Sequence, residues 1–415
     1  MDTAILSELR TWLTDAGLAG KSETVLLDGF CRRALDAGLP IARAAIIIDT
    51  LHPVHEGRAF LWRREAGRSQ TELVEYGPTS EGEAADNWRR SVFFHLLETG
   101  GSIFRVRFHA GETSDFVNFG RMRDEGLSDV IAMITRFAGA GAIGEMDCLY
   151  SYWGTDRPHG FDDADAEAIA GLMPMLALAV KCVSLARIAG TLVETYLGRD
   201  AGRRVLNGLI RRGVADRIAA VLWYSDLREF TRITDQSPPE QIIPLLDDYA
   251  EVVISAVYEN GGDVLKLIGD GILAIFTSSA AEEACHNAIS AHSALHELLA
   301  QLNPRRAGDG LPTTEVYVGL HIGEVFYGNI GSDERLDFTV VGPAVNEVAR
   351  IAAMCRSVER NVLLSQPFAD AMARLERGRL VSVGRYALRG VERPQELFTL
   401  DPFWTGVSNV MLENT

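Results

Sequence analysis

The stretch Asp263-Val-Leu-Lys-Leu-Ile-Gly-Asp-Gly-Ile-Leu-Ala-Ile-Phe276 decides how the second half of this chain is read. Two apolar runs flank Gly269-Asp270-Gly271, a turn signal, so the stretch predicts a β-hairpin. Yet Lys266 lies inside the first run and Asp270 stands at the tip. An unpaired charge is costly to bury, so both residues call for a chemical reason.

The flanking sequence predicts a small α+β domain. Residues 219–226 read as a strand ending on Asp226. Residues 237–262 read as a helix, with Ser237 as its cap, proline next and Glu240 three residues on. Ile242, Leu245, Leu246, Tyr249, Val252, Val253 and Ala256 keep helical spacing. A helix is expected near 280–299, a pair of strands within 313–331, a strand at 337–342 and a helix at 344–355. This order predicts an antiparallel-rich sheet with helices on one face, of ferredoxin-like type.

The first half reads as a separate α+β domain. Helices are expected at 3–16, 23–37 and 86–98, and strands at 42–50, 57–64, 70–77, 100–108, 129–137 and 146–154. A long exit helix is expected from 163 to 196, with Pro174 starting or kinking it. Residues 198–213 are basic and glycine-punctuated and read as a connector. The expected domains are 1–160, the exit helix and connector 161–218, a second domain 219–402 and a tail 403–415.

Bulk properties narrow the function. The 415 residues are 47% hydrophobic, enough for packed cores. A net charge of −17 argues against nucleic acid or an anionic membrane as partner. The five cysteines form no CxxC pair, so no zinc knuckle or disulfide framework is expected. The start of the chain carries acids early and does not read as a signal peptide. The apolar run 171–183 contains Pro174 and Lys181 and is too short to span a bilayer. A cytoplasmic protein is expected.

Several polar residues stand where chemistry needs them. Asp226 and Asp270 would lie side by side on adjacent strands, and two close carboxylates need a cation between them. Hard oxygen ligands suit Mg²⁺ or Mn²⁺. Read singly, Asp226 is a helix cap and Asp270 a turn residue. The segment from Leu227 through Phe230 and Thr231 enters a helix whose backbone N–H groups suit phosphate oxygens. Lys266 could donate to a ring nitrogen of a base. Thr339 offers a hydroxyl, and Asn346 and Arg350, four apart, share a helix face. Taken alone, Arg350 is a surface charge and Asn346 a cap.

The segments WYSDLREFT (223–231), GGDVLKLIGDGILAIF (261–276), VGLHIGEVFYGNIGS (318–332) and DFTVVGPAVNEVARI (337–351) resemble the motifs of class III nucleotide cyclases. The resemblance covers about 219–400. It implies that Asp226 and Asp270 bind two Mg²⁺ or Mn²⁺ ions per site. It implies adenine selection by Lys266 and Thr339, where a guanine-selecting enzyme usually carries glutamate and cysteine or serine. Asn346 and Arg350 would serve the transition state, and Arg389 would meet the triphosphate. The implied reaction converts ATP to 3′,5′-cyclic AMP and pyrophosphate. The implied assembly is a homodimer with sites shared between subunits.

The first half resembles a GAF-type or PAS-like sensor domain, chiefly in GFDDADAEAIAGLMPML (160–176), which implies an unidentified ligand or signal. One departure from the cyclase pattern is Glu229, where the family commonly has glycine. It either places bulk and negative charge near an anionic ligand or points to solvent. The alternatives are a nucleotide-binding regulator without turnover, or a guanylate or relaxed-specificity cyclase. His292 and His296, four apart, read as a solvated helix face. Phe60, Trp62, Phe104, Phe108, Tyr152 and Trp153 read as core.

Overall fold

A computed structural model describes residues 3–65, 68–137, 146–391 and 394–401; the expected tail lies outside them. The protein is α+β and divides into two compact units, residues 1–192 and 193–415.

In the first unit, α1 (Thr3–Leu18) and α2 (Glu23–Asp36) precede β1 (Arg43–Asp49), β2 (Gly57–Glu65) and β3 (Arg68–Tyr76). Then come α3 (Gly82–Arg89), α4 (Val92–Glu98), β4 (Ile103–Val106), α5 (Phe119–Asp124), β5 (Asp129–Arg136) and β6 (Cys148–Thr155). The six strands form an antiparallel sheet in the order β3-β2-β1-β6-β5-β4. One face packs Trp62 and Trp153 against α1 and α2 through Leu9 and Phe30. The other packs Tyr152 against Phe93 and Phe119. The helix expected over 86–98 is broken in two. Ser91 Oγ accepts the Phe94 N–H at 3.1 Å and caps α4, so the chain restarts there.

The exit helix α6 (Asp163–Leu197) passes through Pro174 without a break. The expectation that residues 171–183 are too short to span a bilayer needs correction, because the helix continues beyond them. Its most apolar window has a mean hydropathy of 1.9, so α6 is long and apolar enough to cross a membrane by length and composition. Half of that window is buried inside the structure, where Leu172, Leu176 and Val180 join the first unit's core.

The second unit opens with α7 (Arg199–Leu206) inside the stretch read as a connector, then β7 (Ala215–Leu227), α8 (Phe230–Gln236) and α9 (Ile242–Glu259). Next are the hairpin strands β8 (Gly262–Ile268) and β9 (Gly271–Phe276), α10 (Ala281–Gly308), β10 (Val316–Gly331) and β11 (Leu336–Val341). The remaining elements are α11 (Pro343–Val358), β12 (Val362–Ser365), α12 (Gln366–Ala371), α13 (Arg374–Arg377), β13 (Leu380–Tyr386) and β14 (Gln395–Leu400). The sheet runs β13-β14-β12-β10-β7-β9-β8, with β11 also pairing to β10. Only the β10–β12 pairing is parallel among the described strands.

Three expectations are corrected here. Helices cover both sheet faces: Val221 and Trp223 of β7 pack with α9 and α10, while Ala220 and Leu222 pack with Ala201 of α7 and Val348 of α11. The expected strand pair within 313–331 is the single strand β10, paired with β7 from Val316–Leu227 to Gly328–Ala215. Ser237 does not cap α9; it ends α8, and a 3₁₀ turn at Pro239–Gln241 leads into α9. The predicted hairpin is present, with a register shift between Val264 and Lys266 that leaves Leu265 as an extra residue.

Candidate active site

Asp226 stands near the end of β7 and Asp270 in the β8–β9 turn, and antiparallel pairing of β7 with β9 brings the two together. The Leu227 N–H donates to Asp270 Oδ2 at 3.3 Å. Burial, a hydrogen bond to Asp270 and the Asp270 charge push the Asp226 carboxyl up to about 7. Two carboxylates this close repel, and a proton or a cation between them relieves the repulsion. Two half-buried carboxylates fit a hard divalent ion. Among the described residues no cluster of three or more His, Cys, Asp or Glu side chains is placed to hold a metal. A Mg²⁺ ion bound by one or two carboxylates keeps room for water and substrate phosphates, so the pair suffices for that chemistry.

These carboxylates line a cavity of about 210 Å³ together with Leu246 and Tyr249 of α9. Leu227 lines it too. Phe230 is half-buried and Thr231 exposed on the first turn of the short helix α8. Before that helix, Glu229 sits in the left-handed region, at φ +57°. Its side chain is 35% exposed, and its carboxylate pairs with Arg232, three residues on. Side chains other than glycine, asparagine and aspartate rarely adopt this conformation.

None of Lys266, Thr339, Asn346, Arg350 and Arg389 lines that cavity. They lie elsewhere in the unit. Lys266 is not buried: the end of β8 is open to solvent, and the lysine side chain is 45% exposed. Its ammonium pairs with the Asp337 carboxylate of β11. Thr339 is two residues from Asp337, so both project from one face of β11. Phe338 and Val340, between and beyond them, turn to the core. Asp337 was not singled out from sequence; its period-2 relation to Thr339 is the signal that carries it.

Asn346 is exposed on the first turn of α11, and Arg350 lies one turn on, half-buried. A Cβ at Gly390 would stand 3.4 Å from both terminal guanidinium nitrogens of Arg350. Gly390 has φ +72°, so backbone conformation and close approach both favour glycine there. The same loop carries Arg389, which is exposed.

His292 departs from the expected solvated face. It is buried on α10, and burial, His296 and Arg379 lower its pKa to about 3. Only His296 of the two is exposed.

Residues 215–402 match the family described as adenylate and guanylate cyclase catalytic domain. Over 157 residues the chain is 32% identical to an adenylate cyclase from Anabaena cylindrica, which covers 38% of this chain and 31% of that relative. Adenylate cyclase 1 of Rhizobium meliloti is 26% identical over 212 residues, 45% of this chain and 31% of its own length. The matched region thus spans about a third of these curated relatives. Among solved structures, the adenylyl cyclase CyaB from P. aeruginosa aligns over 47% of this chain and 100% of its own, at 22% identity and a TM-score of 0.42. The guanylyl cyclase Cya2 aligns over 47% and 99%, at 25% identity and a TM-score of 0.40.

Proposed function

Because residues 215–402 belong to the adenylate and guanylate cyclase catalytic-domain family, we propose that the protein converts ATP to 3′,5′-cyclic AMP and pyrophosphate. The observation that carries the choice of ATP is the Lys266–Asp337 pair beside Thr339. Adenine offers an acceptor at N1 and a donor at N6. An ammonium held in place donates to the first, and a threonine hydroxyl accepts from the second. Guanine reverses the N1 position, which becomes a donor facing the lysine.

In the reaction the ribose 3′-oxygen bonds to the α-phosphorus. The bond from that phosphorus to the pyrophosphate oxygen breaks, and the hydroxyl proton leaves to solvent. Mg²⁺ or Mn²⁺ held by Asp226 and Asp270 supplies, when bound, neutralisation of the triphosphate and a more acidic 3′-hydroxyl. Arg350 stabilises charge developing on the α-phosphoryl group, and Asn346 orients the ribose. Arg389 and the backbone from Leu227 through Phe230 and Thr231 contact the phosphates.

The active form is a homodimer. A cavity of about 210 Å³ is smaller than nucleotide-sized sites, which start near roughly 300 Å³. The residues proposed for base and transition state lie outside it, so a second copy completes each site. Exposed Leu267, Phe326 and Val341 provide apolar surface for that contact. The first unit acts as a GAF/PAS-like sensor that sets the dimer geometry through α6. The ATP substrate places the catalytic unit in the cytoplasm.

The test is cyclic nucleotide production from ATP and from GTP, with Mg²⁺ or Mn²⁺, beside Asp270→Ala. Cyclic AMP that vanishes in the variant supports the proposal; cyclic GMP as the main product overturns the base assignment. The left-handed Glu229 favours one second reading, a nucleotide-binding regulator without turnover. It takes over if a dimer that binds ATP makes no product and Glu229→Gly fails to restore any.

A further inference from the structure

We propose that the first unit binds an organic ammonium ion with an aromatic-sized apolar body, in a cavity between the sheet and helices α3 and α4. The cavity measures about 790 Å³, in the range of small-molecule sites. Its walls carry aromatic rings from both sides: Tyr76, Tyr150 and Tyr152 from the sheet, Trp88 and Phe93 from the helices.

The sign of the ligand follows from the charges in the wall. Asp49, Glu56 and Asp147 line the cavity, and no lysine, arginine or histidine does so among the described residues. Tyr76 donates its hydroxyl to Asp49 at 2.9 Å, and Thr79 donates to Glu56 through backbone N–H and hydroxyl. The Thr79 donors are neutral and leave the negative charge of Glu56 in place. Burial, aided by the neighbouring carboxylates, pushes the Tyr76 and Tyr150 phenols far up, so neither adds a titrating group near neutral pH. A cleft of about 500 Å³ adjoins the cavity and shares Glu56, Thr79 and Trp88. It carries His52 and His55, stacked on each other at 4.8 Å and outside the cavity wall.

Each ligand class meets these walls differently. An anion would be desolvated among three carboxylates and the negative faces of the rings. A neutral apolar body would dry the carboxylates without pairing them. An ammonium pairs with a carboxylate and is attracted to the aromatic faces, while its body fills the apolar volume.

The test is calorimetric titration of the full chain with three ligands of one shape: tryptamine, the neutral tryptophol and the anionic indole-3-propionate. Tryptamine is expected to bind at least about tenfold more tightly than either of the others. In the double variant Asp49→Asn, Asp147→Asn, tryptamine should lose at least about tenfold and tryptophol should change little. If that variant does not fold, the wild-type series decides alone. Equal or tighter binding of the anion or the neutral analogue overturns the proposal. So does the absence of binding by tryptamine, phenethylamine and benzyltrimethylammonium alike at millimolar concentration. The readout is binding by the first unit, so it stands or falls apart from the catalytic assignment of the second.

Discussion

The Lys266 ammonium and the Asp337 carboxylate are joined in an ion pair between β8 and β11, on the side of β11 that also carries Thr339. Both partners are close to half exposed, so the pair adds little stability, under about 1 kcal/mol. Its consequence is positional. Lys266→Ala should cost about 10- to 100-fold in kcat/KM for ATP, the loss of one hydrogen bond to the base. Asp337→Ala should raise KM for ATP more than it lowers kcat and shrink the preference for ATP over GTP, with the urea midpoint nearly unchanged. Steady-state kinetics with both nucleotides checks this. An unchanged ATP-to-GTP ratio in Asp337→Ala would remove the positioning role.

The Asp226–Asp270 pair makes a pH prediction. The folded Asp226 carboxyl, near 7, lies above its ordinary value of 3.8. The folded state therefore binds this proton more tightly than the unfolded state. The contribution is present below about pH 4 and is lost as pH rises through 7. In metal-free protein, the Tm difference between wild type and Asp226→Asn should shift against wild type across that window. Mg²⁺ should raise Tm more at pH 8 than at pH 5, since protons and metal compete. A pH-independent Tm difference would contradict the coupling of the two carboxylates.

Glu229 separates backbone strain from charge. Glu229→Gly and Glu229→Ala both lose the Arg232 ion pair, but only glycine is at ease at φ +57°. The left-handed penalty is about 1–2 kcal/mol, and glycine's extra flexibility returns about 0.5–1. The glycine variant should therefore be more stable than the alanine variant by about 0.5–1 kcal/mol, as read by urea unfolding. Both should raise cyclic AMP output if the carboxylate repels phosphate. A gain confined to glycine would assign the effect to the backbone instead.

Shared sites predict complementation. Asp270→Ala should be inactive, and Lys266→Ala should keep at most about a tenth of wild-type activity. Mixed and allowed to exchange, half of the dimers are mixed, and each mixed dimer has one intact site of two. Activity should recover to about a quarter of wild type. Phe326→Glu, on exposed apolar surface, should weaken the dimer and abolish that recovery. Sedimentation and product assays on the same samples decide. No recovery in mixtures shown to exchange subunits would mean that each chain builds its own site.

The sequence was most readable where pattern and chemistry agree. The hairpin, the strand ending near Asp226 and the helix carrying Asn346 and Arg350 fall where period and turn signals put them. It was least readable where glycine has a tertiary cause. A strand pair within 313–331 would need a turn there, yet β10 runs unbroken through Gly323 and Gly328. A Cβ at Gly323 would stand 2.7 Å from Ala344, and one at Gly328 would stand 2.2 Å from the Val214 carbonyl. These glycines permit close approach rather than a turn. The partner of Lys266 also escaped, because an ion pair between strands 71 residues apart leaves no local trace. Glu229 is the reverse case: its strain is local, but only the backbone angle reveals it.

The bulge at Leu265 gives strand register a role that residue identity cannot replace. In an unbroken register Lys266 would face Ile272, whose side chain belongs to the core beneath α9 and α10. The extra residue sets it opposite Leu273 instead, on the sheet side that faces β11. A slip of one residue in this register would leave every polar group of the hairpin in the sequence and still turn the lysine toward hydrocarbon. Along this strand, register bears on nucleotide choice as much as the identity of the lysine itself.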